Sequence, residues 1–317
     1  MKAWLIILLS VVHLATFAQV PAIGIKGRAA AASTADGQIQ SAAGNNINIY
    51  ISADFGDTWT AKESARDWRG IAISANGQHQ TAVAYGNYVY ESSDYGNTWT
   101  PKGTTRNYNA VSMSASGQHQ SVTVYYGNIF ISSDYGETWT QKGTSTGYIS
   151  ICMSASGQYQ TAVANTGYIY ISSDYGDTWT QKGTTDYYFD VSMNASGQYQ
   201  TAVANSSKIY TSSDYGANWT ARESNRSWRS ISVNAIGEYQ TAVVFGGQIY
   251  TSSNYGTTWT PKATNRNWNA VASDASAQYR TATVDNGQIY ISSDYGENWS
   301  AKESNRAWRT IFINQKQ

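Results

Sequence analysis

The most constraining feature of this 317-residue chain is a period of forty residues that repeats without a single insertion. The phrase Ser-x-Asp-x-Gly-x-x-Trp occurs seven times, with asparagine replacing the aspartate in one copy. A fixed period of about 20 to 50 residues indicates a repeat architecture, in which each unit packs on its neighbours. The recurring positions are Asp54, Asp94, Asp134, Asp174, Asp214, Asn254 and Asp294, and a tryptophan follows each of them five residues later.

Each unit divides into four short strands separated by turn residues, and no stretch has apolar residues at helical spacing. In the unit around Asp174, strands are predicted over 149–154, 159–164, 168–173 and 178–183. Four strands in about forty residues is the spacing of a propeller blade. The fold class predicted is therefore all-β, a seven-bladed β-propeller of four-stranded antiparallel blades.

The two ends of the chain suggest how such a ring closes. The first unit begins at its second strand, near Asp36, and the chain finishes on a first strand, 308–314, that has no followers. We expect this C-terminal strand to complete blade 1, which hides the sheet edges and joins the termini. Residues 34–317 then form the propeller, and residues 19–33 form a linker or a degraded first strand.

The N-terminus resembles a secretory signal peptide. Lys2 precedes an apolar run from Ala3 to Phe17 that ends in small residues, and the run is too short for a stable membrane span. We therefore predict cleavage after residue 18 and a secreted protein, extracellular or periplasmic, with no membrane insertion.

Composition excludes several functional classes. The 21 basic residues balance 21 acidic ones, and only 13% of residues are charged against about 25% in ordinary domains, so nothing favours nucleic acid as a partner. One cysteine, Cys152, excludes internal disulfides, and it is interpreted as a small buried filler. Three histidines are too few for a histidine-based zinc site, so no metal and no cofactor are expected.

The repeated Ser-x-Asp-x-Gly-x-x-Trp phrase resembles the Asp-box, or BNR repeat, of sialidase-like propellers and secreted bacterial repeat proteins. The resemblance covers residues 34 to 317, but a fold of this kind does not specify a function. Within each box we expect the aspartate to accept backbone N–H bonds across its turn, the glycine to adopt a positive φ and the tryptophan to pack on the neighbouring strand. His79 and His119 stand where other units have tyrosine, and they are interpreted as packed substitutes.

The link between the fourth strand of one blade and the first strand of the next carries the candidate binding residues. An arginine two residues before an aromatic recurs in five units, whereas two units keep only the aromatic. The resemblance to sialidase-like propellers implies that this link lines the ligand face. The candidate ligand-binding residues are Arg66, Trp68, Arg106, Tyr108, Tyr148, Tyr188, Arg226, Trp228, Arg266, Trp268, Arg306 and Trp308.

These twelve residues would form a ring around one face of the propeller, which we call the predicted binding ring. Two interpretations of it are open. Aromatic faces and forked guanidinium groups suit sugars, and repetition around a ring supplies avidity, which favours a secreted multivalent lectin-like protein that binds glycans. The alternative is architectural: each arginine pairs with a nearby glutamate such as Glu63, and each aromatic wedges between blades. In either case the partners expected are glycans or a surface protein, and the chain is expected to be a monomer.

Three functional classes follow, in the order glycan binding, protein docking and glycoside hydrolysis. A propeller glycosidase needs a unique pair of acidic groups. Acids outside the repeat pattern are few, and Asp186 and Asp190 are the candidates because they flank a Tyr-Tyr pair. The even spread of residues over the repeats favours binding, so no residue is assigned a catalytic role.

Overall fold

The structure is a computed structural model that describes residues 30–34, 38–55 and 58–306. All regular elements within these ranges are strands, and every paired strand is antiparallel. No helix among the described residues has the length and apolar character to cross a membrane. The predicted leader, residues 1–18, lies outside the described residues.

The strands follow the forty-residue period. The first sheet contains β1 (Ala30–Ser33), β2 (Gln40–Ala43), β4 (Tyr50–Ser52) and β5 (Thr60–Ala61). The second contains β3 (Asn45–Ile47), β6 (Arg66–Ile73), β7 (Gln80–Ala84), β8 (Asn87–Ser92) and β9 (Thr100–Arg106). The third contains β10 (Tyr108–Met113), β11 (Gln120–Val124), β12 (Gly127–Ser132) and β13 (Thr140–Thr146).

The remaining sheets continue the same order. The fourth contains β14 (Tyr148–Met153), β15 (Gln160–Ala164), β16 (Gly167–Ser172) and β17 (Thr180–Asp186). The fifth contains β18 (Tyr188–Met193), β19 (Gln200–Ala204), β20 (Ser207–Ser212) and β21 (Thr220–Arg226). The sixth contains β22 (Trp228–Val233), β23 (Gln240–Ser252), β24 (Thr260–Ser273), β25 (Arg280–Val284), β26 (Gly287–Ser292) and β27 (Ser300–Arg306).

The prediction of seven separate four-stranded blades is wrong, because the described strands form six sheets and hence six blades. Four of the sheets have four strands, one has five and one has six. The six-stranded sheet arises because β23 and β24 are continuous where other repeats have a turn, and Phe245 pairs with Asn267 across the gap. A similar pairing of Asn45 with Asp67 adds β3 to the second sheet.

The predicted closure is wrong as well. The place beside β2 that was assigned to the C-terminal strand is taken by β1, whose Ala30 pairs with Ala43 and whose Ser33 pairs with Gln40. The other edge of β2 pairs with β4, so β2 offers no free edge. The predicted closing strand itself, 308–314, lies outside the described residues.

Burial varies across each sheet in the manner of a propeller. The second strand of each repeat is buried along nearly its whole length, as in β7, β15 and β19. The fourth strand, as in β13 and β17, is mostly exposed. The apolar clusters join residues of adjacent sheets, so that the core lies mainly between blades.

The repeat places two sets of turns at opposite ends of the sheets. We call "loop face" the end that holds the turns between second and third strands and the links between fourth and first strands. We call "Asp-box face" the end that holds the box turns and the turns between first and second strands. On the loop face, the residue that follows the buried second-strand segment donates its N–H to the link of the same repeat in six repeats, as Tyr85 does to the Asp67 carbonyl at 2.8 Å. This bond fixes the turn against the link.

Candidate functional site

The aromatic residues of the predicted binding ring lie inside the molecule. Each described member is 0 to 2% exposed, so none offers a ring face to a ligand. These residues are Trp68, Tyr108, Tyr148, Tyr188, Trp228 and Trp268. Each packs between two neighbouring repeats: Trp228, for example, contacts the cluster of Val203 and Ile209 on one side and of Ala242 and Tyr250 on the other. This burial agrees with the architectural alternative for the aromatics.

Hydrogen bonds hold these buried rings. The hydroxyl of Tyr148 donates to the Thr144 carbonyl at 3.0 Å, and Tyr188 makes the same bond to Thr184 at 2.8 Å. Burial raises the pKa of Tyr148 to about 12, and it also raises the pKa of Tyr188. Both phenols stay protonated at any physiological pH, as suits a structural role.

The arginines of the same phrase cover the aromatic residue of the third strand. The Cζ atom lies 4.5 to 4.8 Å from that ring centroid in each of the four pairs, which is cation–π distance. The pairs are Arg66 with Tyr90, Arg106 with Phe130, Arg226 with Tyr250 and Arg266 with Tyr290. Arg66 also forms a 2.7 Å ion pair with Glu63, as the architectural alternative predicts. Arg106 and Arg266 are exposed, whereas the side chain of Arg306 and all of Trp308 lie outside the described residues.

Asp186 replaces the arginine in one repeat and contacts the same third-strand aromatic. Its Oδ2 accepts the hydroxyl of Tyr210 at 2.6 Å and that of Ser207, and its Oδ1 accepts the Tyr187 N–H. These bonds anchor the link to the third strand, so the carboxylate serves the position that a guanidinium serves in other repeats.

Asp190, the other candidate acid, lies on β18 and joins three consecutive sheets. Its carboxylate accepts hydrogen bonds from the Ser150 and Ser230 hydroxyls at 2.9 and 3.0 Å, and from the N–H groups of Val191 and Ile231. Burial raises the pKa of Asp190 above its ordinary value, because its effect is larger than the opposite effect of these four hydrogen bonds. The four donors occupy the carboxylate with structural contacts.

The Asp-box turns have the geometry that the sequence predicts. Asp174 Oδ1 accepts the Thr178 N–H at 2.9 Å and the Ser172 hydroxyl at 2.8 Å, and Gly176 has a φ of 90°. Partial burial would raise the pKa of Asp174, but the bonds from Thr178 and Ser172 outweigh it and hold that pKa below its ordinary value of 3.8. Asn254 makes the equivalent bond to the Thr258 N–H at 3.0 Å.

Two other expectations concern single positions. His79 and His119 stack on Tyr135 and Tyr175 as Tyr159 stacks on Tyr215, so they are confirmed as ring substitutes. Cys152 is half-buried rather than buried, and burial together with the charge of Asp190 raises the pKa of its thiol. The described residues contain no group of three or more His, Cys, Asp and Glu side chains placed to hold a metal ion.

The loop face instead exposes aromatic residues that are not among the predicted ligand-binding residues. Tyr126 is 68% exposed, and its ring lies 4.4 Å from that of Tyr125 in an edge-to-face pair. Tyr85, Tyr88 and Tyr187 are also exposed. A signal was available: these positions change residue type from repeat to repeat, whereas the buried position is aromatic in every repeat.

Two arginines of the inner strands lie among these rings. The Arg229 guanidinium lies between Phe189 and Phe245, with its Cζ 4.4 and 4.9 Å from the two ring centroids. Tyr187 extends this stack, since its ring lies 5.6 Å from Phe189. Arg69 lies 5.0 Å from the Tyr85 ring and forms a 2.6 Å ion pair with Asp67. The loop face therefore presents flat aromatic groups beside oriented cations.

Comparison with known proteins supports the fold. The family model described as BNR-Asp box repeat matches residues 209–221, which contain the Asp214 box. No curated protein matches the sequence.

Solved structures resemble the chain over most of its length. YCF48 from Cyanidioschyzon merolae is 17% identical, with a TM-score of 0.62 over 79% of this chain and 90% of that one. The structure described as YCF48 bound to D1 peptide is 17% identical, with a TM-score of 0.60 over 78% of this chain and 86% of that one. The Cps50 (Swd1) β-propeller domain of Myceliophteria thermophila is 12% identical, with a TM-score of 0.62 over 82% of this chain and 93% of that one. The chain is thus a β-propeller that carries the BNR-Asp box repeat.

Proposed function

We propose that this protein is a docking platform that binds another protein through its loop face. The observation that carries this proposal is the set of exposed and half-buried aromatic and guanidinium groups on that face, above all the exposed Tyr126 beside the half-buried Tyr125, and the half-buried Phe189–Arg229–Phe245 stack. The fold is also that of propellers such as YCF48, of which one structure is described as bound to D1 peptide.

The chemistry of these groups suits a protein partner. Tyrosine and arginine are enriched among the residues that dominate protein–protein binding energy, because each adds a large contact area and a polar group. The Arg229 guanidinium is held between two rings, so little further side-chain entropy is lost when a partner covers it. Tyr126 has a φ of 51°, and at 68% exposure it is the most exposed of the described large apolar and aromatic residues.

The aromatic residues of the predicted binding ring are buried, and this removes the main support for glycan binding. A sugar-binding aromatic must present a face to solvent, and the described aromatics of that ring are buried. The exposed rings of the loop face differ between repeats, which favours one shaped surface there over a set of equal subsites. Lectin-like binding and the sialidase-like resemblance stay predictions.

We also propose that the protein acts outside the cytoplasm, after removal of residues 1–18, and that it binds as a monomer. The support is the charged, apolar and small-residue order of the leader. A surface-anchored or exported protein is then the partner class to test first.

The test is selection of linear peptides from a random phage-displayed library against the full mature chain. Fluorescence anisotropy would then compare the enriched peptides on the wild type and on the Tyr126→Asn and Arg229→Ala variants. We expect each variant to weaken binding by about tenfold or more, the effect of losing a residue that contributes about 1.4 kcal/mol.

The matched control is Ile236→Asn, which replaces a 57% exposed apolar residue in a turn between first and second strands on the Asp-box face. It should leave the affinity of the selected peptides unchanged. The proposal is overturned if no peptide is enriched. It is also overturned if the enriched peptides bind both loop-face variants with the same affinity as the wild type.

A further inference from the structure

The Asp-box face carries a second set of exposed aromatic residues. The residue after the aspartate or asparagine of the box is tyrosine in six copies, and each of these residues is 39 to 47% exposed. Every one has a left-handed backbone, with φ between 59° and 64°. The six residues are Tyr95, Tyr135, Tyr175, Tyr215, Tyr255 and Tyr295.

Stacking holds most of these rings in one orientation. Five of them lie 4.4 to 5.0 Å from an aromatic ring of the preceding repeat, with planes tilted by 31 to 37°. One face of each phenol is therefore covered, and the exposed fraction belongs to the rest of the ring. The face offers a series of preoriented aromatic surfaces, one per repeat.

Tyrosine is an unexpected choice for this backbone. Glycine and asparagine adopt a left-handed φ with least strain, and a bulky residue adopts it at a free-energy cost. The cost is repeated in every tyrosine copy. Stacking compensates for part of it, but a stacked residue could equally be buried, and these rings are exposed.

Charge indicates what such rings would bind. Among the accessible side chains that the structure describes on this face, carboxylates outnumber cations by ten to six. The carboxylates are Asp54, Asp94, Asp134, Asp174, Asp214, Asp294, Glu137, Asp177, Glu238 and Glu297, and the cations are Lys62, Lys102, Lys142, Lys182, Arg222 and Lys262.

The excess grows once the ion pairs are removed. Lys102, Lys142 and Lys262 pair with Glu137, Asp177 and Glu297 of the neighbouring repeats at 2.6 to 3.1 Å. The described box aspartates and Glu238 then face only Lys62, Lys182 and Arg222. Five of these aspartates directly precede an exposed tyrosine in the chain.

An aromatic face next to a carboxylate is the combination that recognises organic cations. We propose that the Asp-box face is a second binding surface, which takes a lysine- or arginine-rich polypeptide segment. Its ammonium or guanidinium groups rest on the open faces of the tyrosines, and the neighbouring box carboxylates supply the opposite charge. This surface is separate from the loop face, so the two proposals stand or fall independently.

Repetition makes weak contacts sufficient. A single exposed cation–π contact changes affinity by only about twofold to fivefold. Consecutive repeats present the same pair of groups, so a segment with several basic residues can engage several of them at once, and the effects combine.

The test is the anisotropy of a fluorescein-labelled oligolysine peptide, with an oligoglutamate of equal length as the charge control. We expect the full mature chain to bind oligolysine, with an affinity that falls as salt rises, and not to bind oligoglutamate. The triple variant Tyr135→Asn/Tyr175→Asn/Tyr215→Asn should weaken binding about tenfold or more, because asparagine keeps the backbone and removes the ring.

Tyr126→Asn is the matched control, since it removes a more exposed tyrosine of the same left-handed conformation from the opposite face. It should not change oligolysine binding. If the triple variant does not fold, the single Tyr175→Asn variant should still show a loss of about twofold to fivefold. The proposal is overturned if oligolysine does not bind, if oligoglutamate binds equally, or if the folded box variants match the wild type.

Discussion

At the scale of the residue, Glu91 departs most from its repeat. It lies on β8 where four other repeats have isoleucine, and it is 5% exposed. One carboxyl oxygen accepts the Thr81 hydroxyl at 2.8 Å, whereas the other, Oε1, has no hydrogen-bond partner. Burial raises the pKa of Glu91 well above its ordinary value of 4.5, although the bond from Thr81 opposes the shift.

Because its pKa is raised, Glu91 lowers the free energy of unfolding at neutral pH. An acid whose pKa is higher in the folded state loses its proton first in the unfolded chain, so stability falls as pH rises above the unfolded value of about 4.5. Replacing Glu91 by isoleucine, as at Ile131 and Ile171, should raise the free energy of unfolding at pH 7 by about 1 to 2 kcal/mol. Urea unfolding at pH 5 and pH 7 measures this.

Glu91→Gln is the companion variant, because it keeps the size and an acceptor for Thr81 while removing the titration. Both variants should narrow the stability difference between the two pH values. Equal pH dependence in wild type and variants would contradict an ionisation cost at this position.

At the scale of the element, neighbouring sheets are joined by a repeated buried hydrogen bond. In five repeats the glutamine that begins the second strand accepts a Ser or Thr hydroxyl from the preceding repeat, as Gln160 accepts Ser121 at 2.6 Å. Its amide also donates to the carbonyl of the preceding turn, at Gly157, with a 3.0 Å bond. In the last repeat Arg280 takes this place, donating to Thr241 at 2.5 Å and to the Ala277 carbonyl at 2.8 Å.

We predict unequal effects of changing these two residues. Gln160→Ala leaves the buried Ser121 hydroxyl and Gly157 carbonyl without partners, so it should lower the free energy of unfolding by about 2 to 3 kcal/mol. Arg280→Gln restores the group used in the other repeats and removes a buried charge, whose pKa burial lowers to about 10. That change should stay within about 1 kcal/mol.

Equilibrium unfolding in guanidinium chloride compares the two variants directly. Near-neutral behaviour of Gln160→Ala would show that the inter-sheet bond contributes little to stability. A large loss in Arg280→Gln would show that the guanidinium does more than replace the amide.

The element pattern was predictable, but the grouping into sheets was not. The repeat and its turn residues predict four strands per unit and the Asp-box geometry around Asp174. The fusion of the last two repeats depends on one added pair, Phe245 with Asn267, which continues a ladder that other repeats interrupt. Local pattern does not decide that β1 is the strand that pairs with β2.

The candidate site shows the same limit. An aromatic beside an arginine looks like a ligand platform, but strand alternation and inter-blade packing turn Trp68 and its equivalents inward. This position, which is aromatic in every repeat, serves the junction that every repeat needs. The exposed loop-face residues vary, so the period alone could not identify them.

At the scale of the whole molecule, a chain of zero formal charge places its charges unevenly. Arginines beside aromatic residues mark the loop face, and ionised box aspartates mark the other. Opposite faces of one ring can then attract different partners without changing the net charge.

The same asymmetry shapes the response of the whole molecule to acid. Although partial burial opposes it, hydrogen bonds from the turn lower the pKa of six box aspartates below 3.8. An acid with a lowered folded-state pKa stabilises the fold above its unfolded pKa, and this contribution is lost as pH falls through the folded value. The raised pKa values of Glu91 and Asp190 act in the opposite sense at higher pH.

We therefore predict that stability is greatest in mildly acidic solution, near pH 4 to 5, and falls on both sides. Thermal unfolding followed by circular dichroism from pH 3 to pH 7 measures how the melting temperature depends on pH. Asp174→Asn, which reproduces the natural Asn254 box, should make the fall below pH 3.8 shallower, because one of the six titrating carboxylates is gone. A melting temperature that rises steadily from pH 3 to pH 7, or an acid limb that Asp174→Asn leaves unchanged, would contradict the box carboxylates as the groups that titrate.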